Sequence, residues 1–417
     1  MQNSETTGKQ RISMGLPVRT REDSTVSQQA SRRAWTVVLF AFVAVDGAII
    51  QARGVLVPVF KDVFPVTESQ LGLVTPVGTV GFVLAMLIFG TASGRIDIKR
   101  FLVISVAATI GSVLLLGLSP TYLLLLVFFG IRSFSTGIFR SLDRSVLSHL
   151  YPNSRARVMS LHTMVWAIGA TIGPLVVTVV MWEFSWRVTY LVLAIALVPI
   201  LVALWQLDRP ESLEEERSLE LDDVKVLLRE PPIYGMAIAL VFVGSMESVF
   251  FNWLPYYAEG LFSENVANLT LSIYLAAYVP GRLTFSYLAE RYRFTDVLVG
   301  VGVVLVVTMY AALVHASGTA LLALVFVIGF FISGLFPTLI SMGIESKPSF
   351  TGPVNVVANV SAQTGFFIAP ATVGVIAEAT TIGTAMLLQV GLAIALVVIV
   401  VGLKLGPLAG QSVPDRG

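Results

Sequence analysis

The sequence predicts an all-α polytopic membrane protein with twelve transmembrane helices in two pseudo-symmetric six-helix bundles. Three observations predict it. Of the 417 residues, 55% are hydrophobic and only 13% charged, and the mean hydropathy is +0.83. An average soluble domain carries about 25% charged residues, so this chain has roughly half the polar material needed to coat a water-facing surface. The apolar blocks recur at about the 20 residues that a bilayer crossing needs, far longer than the roughly 10-residue alternating segments of a membrane β-barrel. The two halves also repeat one another.

In order, residues 1–33 are polar and mixed in charge, which predicts a disordered tail without the apolar core of a signal peptide. Apolar blocks follow at 35–58, 71–91, 101–119, 121–148, 158–181 and 187–206. A second set covers 234–257, 267–289, 297–315, 319–341, 353–377 and 382–404. Each is long enough to be one span. The domains expected are a bundle over 34–206, a linker over 207–232, a bundle over 233–405 and a tail over 406–417. The linker is acidic (Glu211, Glu214, Glu215, Glu216, Glu220, Asp222, Asp223), and its Leu221, Val224 and Leu228 recur at helical spacing, as a surface amphipathic helix or a plain solvated connection would.

Orientation follows from the basic residues, which collect in cytoplasmic loops. With the N-terminus inside, Arg32, Arg33, Arg95, Lys99, Arg100, Arg155, Arg157, Arg209, Arg217, Lys225, Arg229, Arg291, Arg293 and Lys404 share one side, and Lys61 and Arg187 lie opposite. Both termini are expected in the cytoplasm, with the chain embedded in the cell membrane as a monomer. Composition excludes other classes. There is no cysteine, hence no disulfide and no zinc-thiolate or thiol chemistry. No lysine stands in a GxxxxGK[ST] context, which disfavours an ATP-driven pump. His149, His162 and His315 fall in different segments without a nucleophile beside them, so an enzyme is not indicated. A sensor would need a soluble output domain larger than the linker and tails provide. No cofactor, metal or nucleic acid is implied.

The internal repeat has an offset of 196 residues. Gly90 to Arg95 at the end of the second span matches Ser286 to Arg291 at the end of the eighth. Gly169-Ala-Thr-Ile-Gly173-Pro174 in the fifth matches Gly365-Phe-Phe-Ile-Ala369-Pro370 in the eleventh, and Pro152 matches Pro348. Parallel duplicated halves are related by an axis along the membrane normal.

On these residues the chain resembles the major facilitator superfamily, from Ala34 to Lys404. The family's cytoplasmic signature G-x-x-x-D-R-x-G-x-R-R reads here Gly90-Thr-Ala-Ser-Gly94-Arg95-Ile-Asp97-Ile-Lys99-Arg100, with Gly94 in place of the aspartate and Asp97 in place of the second glycine. In the family that aspartate latches the halves together. The resemblance therefore implies a latch that is weakened here, or taken over by Asp97 or by Glu290 beside Arg291. The fifth-span element G-x-x-x-G-P is intact in Gly169, Gly173 and Pro174, and Trp186-Arg187 opens the sixth span. The resemblance implies alternating access by two rocking bundles.

Ionisable groups at bilayer depth cost about 2.5 to 3.5 kcal/mol each on insertion scales, which makes them functional candidates. Asp46 lies midway along the first span and Arg53 follows on nearly the same face. On the fourth span Arg132, Thr136, Arg140 and Arg144 form one basic stripe beside Asp143. Asp46 and Arg132 share a depth on spans that the resemblance implies are neighbours, and an ion pair between them would be a static strut or a proton switch. Glu247 is central in the seventh span, ahead of Asn252, Trp253, Pro255 and Tyr256; the position equivalent to it in the first half is 51. Asp46 and Glu247 are the expected proton carriers. Arg53, Arg132, Arg140 and Arg282 are expected to orient the substrate, helped by Asn252 and Trp253 on the seventh span, Tyr278 on the eighth, and Asn355, Asn359 and Gln363 on the eleventh. His162 and Trp166 are read as packing.

The expected function is secondary transport of a small organic solute, coupled to protons. The excess of arginine over acid at depth points to a carboxylate, whose two oxygens match the guanidinium fork. The alternative is a proton-coupled exporter of cationic or lipophilic drugs, favoured by the fifth-span element and by Trp166, Phe250, Phe251 and Trp253.

Overall fold

The computed structural model describes residues 21–92, 96–208, 226–347 and 350–406. Arg95, most of the linker, Pro348 and the tails at 1–20 and 407–417 lie outside them. The described chain is helical from end to end. The spans are, in order, Arg21–Val63; Glu68–Leu71 running into Val74–Ala92; Ile98–Gly117; Tyr122–Leu150; Arg155–Met181; and Trp186–Gln206. The second set is Pro231–Glu259; the pair Glu264–Ala276 and Tyr278–Arg291; Phe294–Tyr310 with a π-turn at Ala311–His315; Gly318–Ser346; Thr351–Ala379; and the pair Ile382–Met386 and Leu388–Leu405. The first helix begins upstream of the expected span, at Arg21.

Local chemistry sets several of the starts. Thr67 and Gln70 form a capping box at the second span, and Thr121 caps the fourth. Asp97 accepts the Arg100 amide at 3.2 Å and is the N-cap of the third span. Pro231 sits in the first turn of the seventh, where its missing N–H costs nothing.

Among the described residues, eleven helices are long and apolar enough to cross a bilayer. The twelfth crossing is the eighth span, which divides at Ala277 into two shorter helices. The reason is Pro280: it has no N–H to donate to the Ala276 carbonyl, and the helix resumes with Gly281 N donating to Ala277 O at 3.0 Å. Apolar side chains such as Leu84, Leu87, Ile88, Leu123 and Ile195 stand exposed on the outside of the helices, the surface that lipid covers.

The repeat is expressed in packing. A Cβ at Gly169 would land on the Ala44 carbonyl and one at Gly173 on that of Ala48, so the first and fifth spans touch backbone to backbone. At the same offset in the second half, Gly365 meets the Val241 carbonyl and Gly244 that of Ala362, joining the seventh and eleventh spans in the same way. Gly169→Ala and Gly365→Ala should therefore each cost the fold about 1 to 3 kcal/mol by overpacking, read as a lowered melting temperature in detergent; Gly111, with open space around it, is the control position.

Candidate functional site

Asp46 on the first span and Arg132 on the fourth are 1% and 5% exposed. Arg132 Nη2 donates to Asp46 Oδ1 and, at 3.4 Å, to the Asp46 carbonyl, while Thr136 donates to the same carboxylate oxygen at 3.3 Å. The pair expected from shared depth on adjoining spans is thus formed, and it leaves Arg132 Nε without a partner. Arg53, 8% exposed, has no hydrogen bond or ion pair among the described residues, and its Nε is buried and unpartnered. Its Nη1 lies against Gly78, whose missing side chain keeps open the space between Arg53 and Ser133. Tyr190 of the sixth span completes the group: its ring is fully buried, its hydroxyl lacks a partner, and it interacts electrostatically with both Arg53 and Arg132.

This cluster therefore holds two guanidinium groups against one carboxylate. Guanidinium is not deprotonated in proteins, and a buried charge without a counter-charge is costly. The arrangement is short of one anion. Tyr190 was not legible as a member, since it sits in an apolar run that gives no sign of where its hydroxyl points. Gln51, equivalent to Glu247 in the repeat, is likewise fully buried with neither amide atom partnered.

A second polar group lies in the other bundle. Tyr278 donates to Glu247 Oε1 at 3.0 Å, and the hydroxyls of Tyr274 and Tyr278 are 3.0 Å apart. The Arg282 guanidinium lies over the Tyr278 ring at 5.5 Å and donates to the Thr163 carbonyl of the first bundle at 3.1 Å. Phe251 connects the bundles here, with its ring 6.3 Å from that of Tyr278 and 6.5 Å from that of Trp166.

The remaining candidates disperse. Arg140 leaves the Arg132 group and lies, with Arg144, beside Asp143 and His162. Trp253 is fully buried and gives its indole N–H to the Pro370 carbonyl at 3.0 Å, fastening the seventh span to the eleventh. Asn252 accepts from Thr75 at 3.0 Å across the bundle interface, leaving its Nδ2 unpartnered. Asn355 and Asn359 donate to the carbonyls one turn back, of Thr351 and Asn355, and Gln363 is half-buried. Of the expected latch, Asp97 is taken up as a helix cap, Glu290 is exposed, and Arg291 stacks on Tyr287 at 4.1 Å. Of the signature, residues 93–95, Arg95 among them, lie outside the described residues.

Residues 36–262 match the family model of the Major Facilitator Superfamily. The chain belongs to that superfamily. Relatives of this major facilitator protein include a cis,cis-muconate transport protein of Acinetobacter baylyi, 22% identical over 378 residues that cover 84% of this chain and 89% of the relative. A hexuronate transporter of Bacillus subtilis is 22% identical over 390 residues, covering 86% and 92%. Among solved structures, a bacterial homologue of the human lysosomal transporter Spinster, in an inward-facing and occupied conformation, superposes with a TM-score of 0.75 at 14% identity over 95% of this chain and 100% of that one. The protein is a multi-pass secondary transporter of this superfamily.

The two bundles of this transporter meet at the end remote from the termini. Lys61 pairs with Glu68 and donates to Tyr256 at 2.6 Å, and Tyr256 donates to Glu68 at 2.9 Å. Nearby, the Ser69 amide donates to Glu378 at 3.2 Å, and Gly72 packs on the Pro370 carbonyl. Further bonds, Trp182 to Asn265 and Ser272 to Thr171, follow the fifth and eighth spans inward to Arg282 and Thr163. The Lys61 cluster was not legible because its members come from three spans and nothing in any one of them states that they meet. Partly exposed pairs of this kind contribute about 1 kcal/mol or less. Lys61→Met should therefore move the population toward the form open at that end by about two- to fivefold. Double electron–electron resonance between labels on the ends of the second and eleventh spans remote from the termini would read the shift.

Proposed function

We propose that this protein moves a small organic carboxylate across the cell membrane by alternating access, with both termini in the cytoplasm and the proton gradient as driving force. The observation that carries the reading is the cationic excess of the Arg53, Arg132, Asp46 and Tyr190 cluster. A substrate carboxylate supplies the missing anion, and Arg53 presents a planar donor fork suited to it. The muconate and hexuronate relatives favour the same chemistry. Glu247, half-buried and hydrogen-bonded to Tyr278, is a carboxyl group that can carry a proton in the second bundle. Asp46 is tied to a permanent cation, so its protonation would release Arg132 to the substrate. The drug-exporter alternative draws less support, because Trp253 and Phe250 are buried in helix contacts.

The test is uptake into proteoliposomes under an imposed pH gradient, with cis,cis-muconate and glucuronate screened against a cationic dye. Accumulation of a carboxylate that collapses with a protonophore is the expected result. Accumulation of the dye alone, or carboxylate uptake indifferent to the gradient, would overturn the reading.

A further inference from the structure

The cluster at the termini-side half of the first bundle is not used by the reading above. Asp143 on the fourth span and His162 on the fifth are both 0% exposed, with His162 Nε2 2.8 Å from Asp143 Oδ2. Three polar atoms around them are buried and unpartnered: Asp143 Oδ1, His162 Nδ1 and Arg140 Nη1. The charged groups facing the pair are Arg140 and Arg144, both on the fourth span. The first span presents the Phe40 ring, centred 5.9 Å from the imidazole and inclined to it by 65°.

We propose that the Asp143–His162 pair is a proton-binding site of the first bundle, linked to the second through the Thr163 carbonyl and Arg282. The inference rests on the proton-coupled reading and adds to it a group outside the substrate cluster. The partner decides what a buried acid can do. Asp46 is bound to arginine, which keeps its charge at every physiological pH. Asp143 is bound to imidazole, the side chain whose ordinary titration falls between pH 5 and 8. A carboxylate only accepts, so Nε2 carries the hydrogen that faces Asp143, and the lone pair of a neutral ring is on Nδ1. The incoming proton goes to Nδ1, turning a neutral ring beside an anion into an imidazolium–carboxylate pair. No other group changes bonding.

The link to motion is the next peptide. The Thr163 carbonyl accepts from Arg282 Nη1 at 3.1 Å, and of the hydrogen bonds joining the bundles among the described residues this is the one nearest the termini. Arg282 lies on Tyr278, which holds Glu247. Two protonatable sites, one in each bundle, thus meet at a single interbundle bond. A change of charge at His162 acts on the segment of the fifth span that this bond tethers, where the bundles must part or close.

The chain has no cysteine, so labels can be placed cleanly. Nitroxides at Asn153→Cys and Tyr292→Cys, exposed positions beside the termini-side ends of the two bundles, would report their separation in nanodiscs without substrate, from pH 5 to 8.5. In the otherwise unaltered protein the distance distribution should shift with pH. In His162→Gln and Asp143→Asn its amplitude should fall by about half or more, or its midpoint move by about one unit or more. Arg282→Gln should uncouple the separation while leaving His162 able to titrate. A second measurement needs no change at the pair: with His149→Gln and His315→Gln, the one remaining histidine is read by 15N NMR and should change charge state within that range. Absence of any pH response in the unaltered protein would overturn both this inference and the proton-coupled reading. A response that persists in His162→Gln and Asp143→Asn, or a ring that keeps one charge state throughout, would overturn this inference alone.

Discussion

Arg53→Gln should abolish carboxylate accumulation while leaving the fold as stable as before, or more so. The two halves of that expectation come from one feature. Arg53 has no acid and no hydrogen-bond acceptor among the described residues, although it is 8% exposed, so in the empty transporter it is a buried cation maintained at a cost. Removing it takes away an unfavourable term and leaves no partner orphaned. When substrate is bound the same guanidinium becomes one side of a desolvated charge pair, and truncating such a partner costs about 2 to 5 kcal/mol. That converts to a loss of apparent affinity of about 30-fold to several thousand-fold. Arg53→Lys keeps the charge but not the planar fork and should fall between. Apparent affinity from concentration-dependent uptake, set beside a melting curve, reads both quantities. An unchanged affinity in Arg53→Gln would remove Arg53 from the site, and a melting temperature that fell sharply would make it structural.

What the sequence disclosed and what it withheld divide along a physical line. Span positions were legible because a bilayer imposes a length on apolar helices. The repeat was legible because backbone contact at Gly169 and Gly365 admits no side chain at all. The Asp46–Arg132 pair was legible because depth in a span can be counted and the two spans were expected to adjoin. Side-chain direction is not counted so easily. Asp143 and His162 are only 19 residues apart, yet they read as an adjunct of a basic stripe and as packing, since nothing in either helix alone states that the two faces meet. Trp253 read as a substrate-binding residue. Its acceptor, the Pro370 carbonyl, belongs to a span 117 residues later. Asp97 carried a local signal as well, an acidic residue directly before an apolar run, which is how a helix N-cap looks.

Asp46→Asn should be the most destabilising single change in the cluster, and the way it is rescued separates a strut from a working site. Arg132 is 5% exposed and already lacks a partner at Nε; taking away the carboxylate leaves its charge buried beside Arg53 with no anion nearby. Breaking a buried pair by removing one partner costs about 3 to 5 kcal/mol, so the variant should melt markedly lower and yield less folded protein. Removing the arginine as well removes the cause. The double variant Asp46→Asn with Arg132→Gln should recover most of that loss, because two neutral polar groups of similar size can hydrogen-bond where the ions did. If the pair only props the first span against the fourth, transport should return along with stability. If Arg132 receives the substrate when Asp46 lets it go, the double variant should be stable and inert, binding carboxylate no better than the single one. A double variant that folds and accumulates carboxylate at the unaltered rate would assign the pair to the scaffold and leave Arg53 as the sole cation of the site.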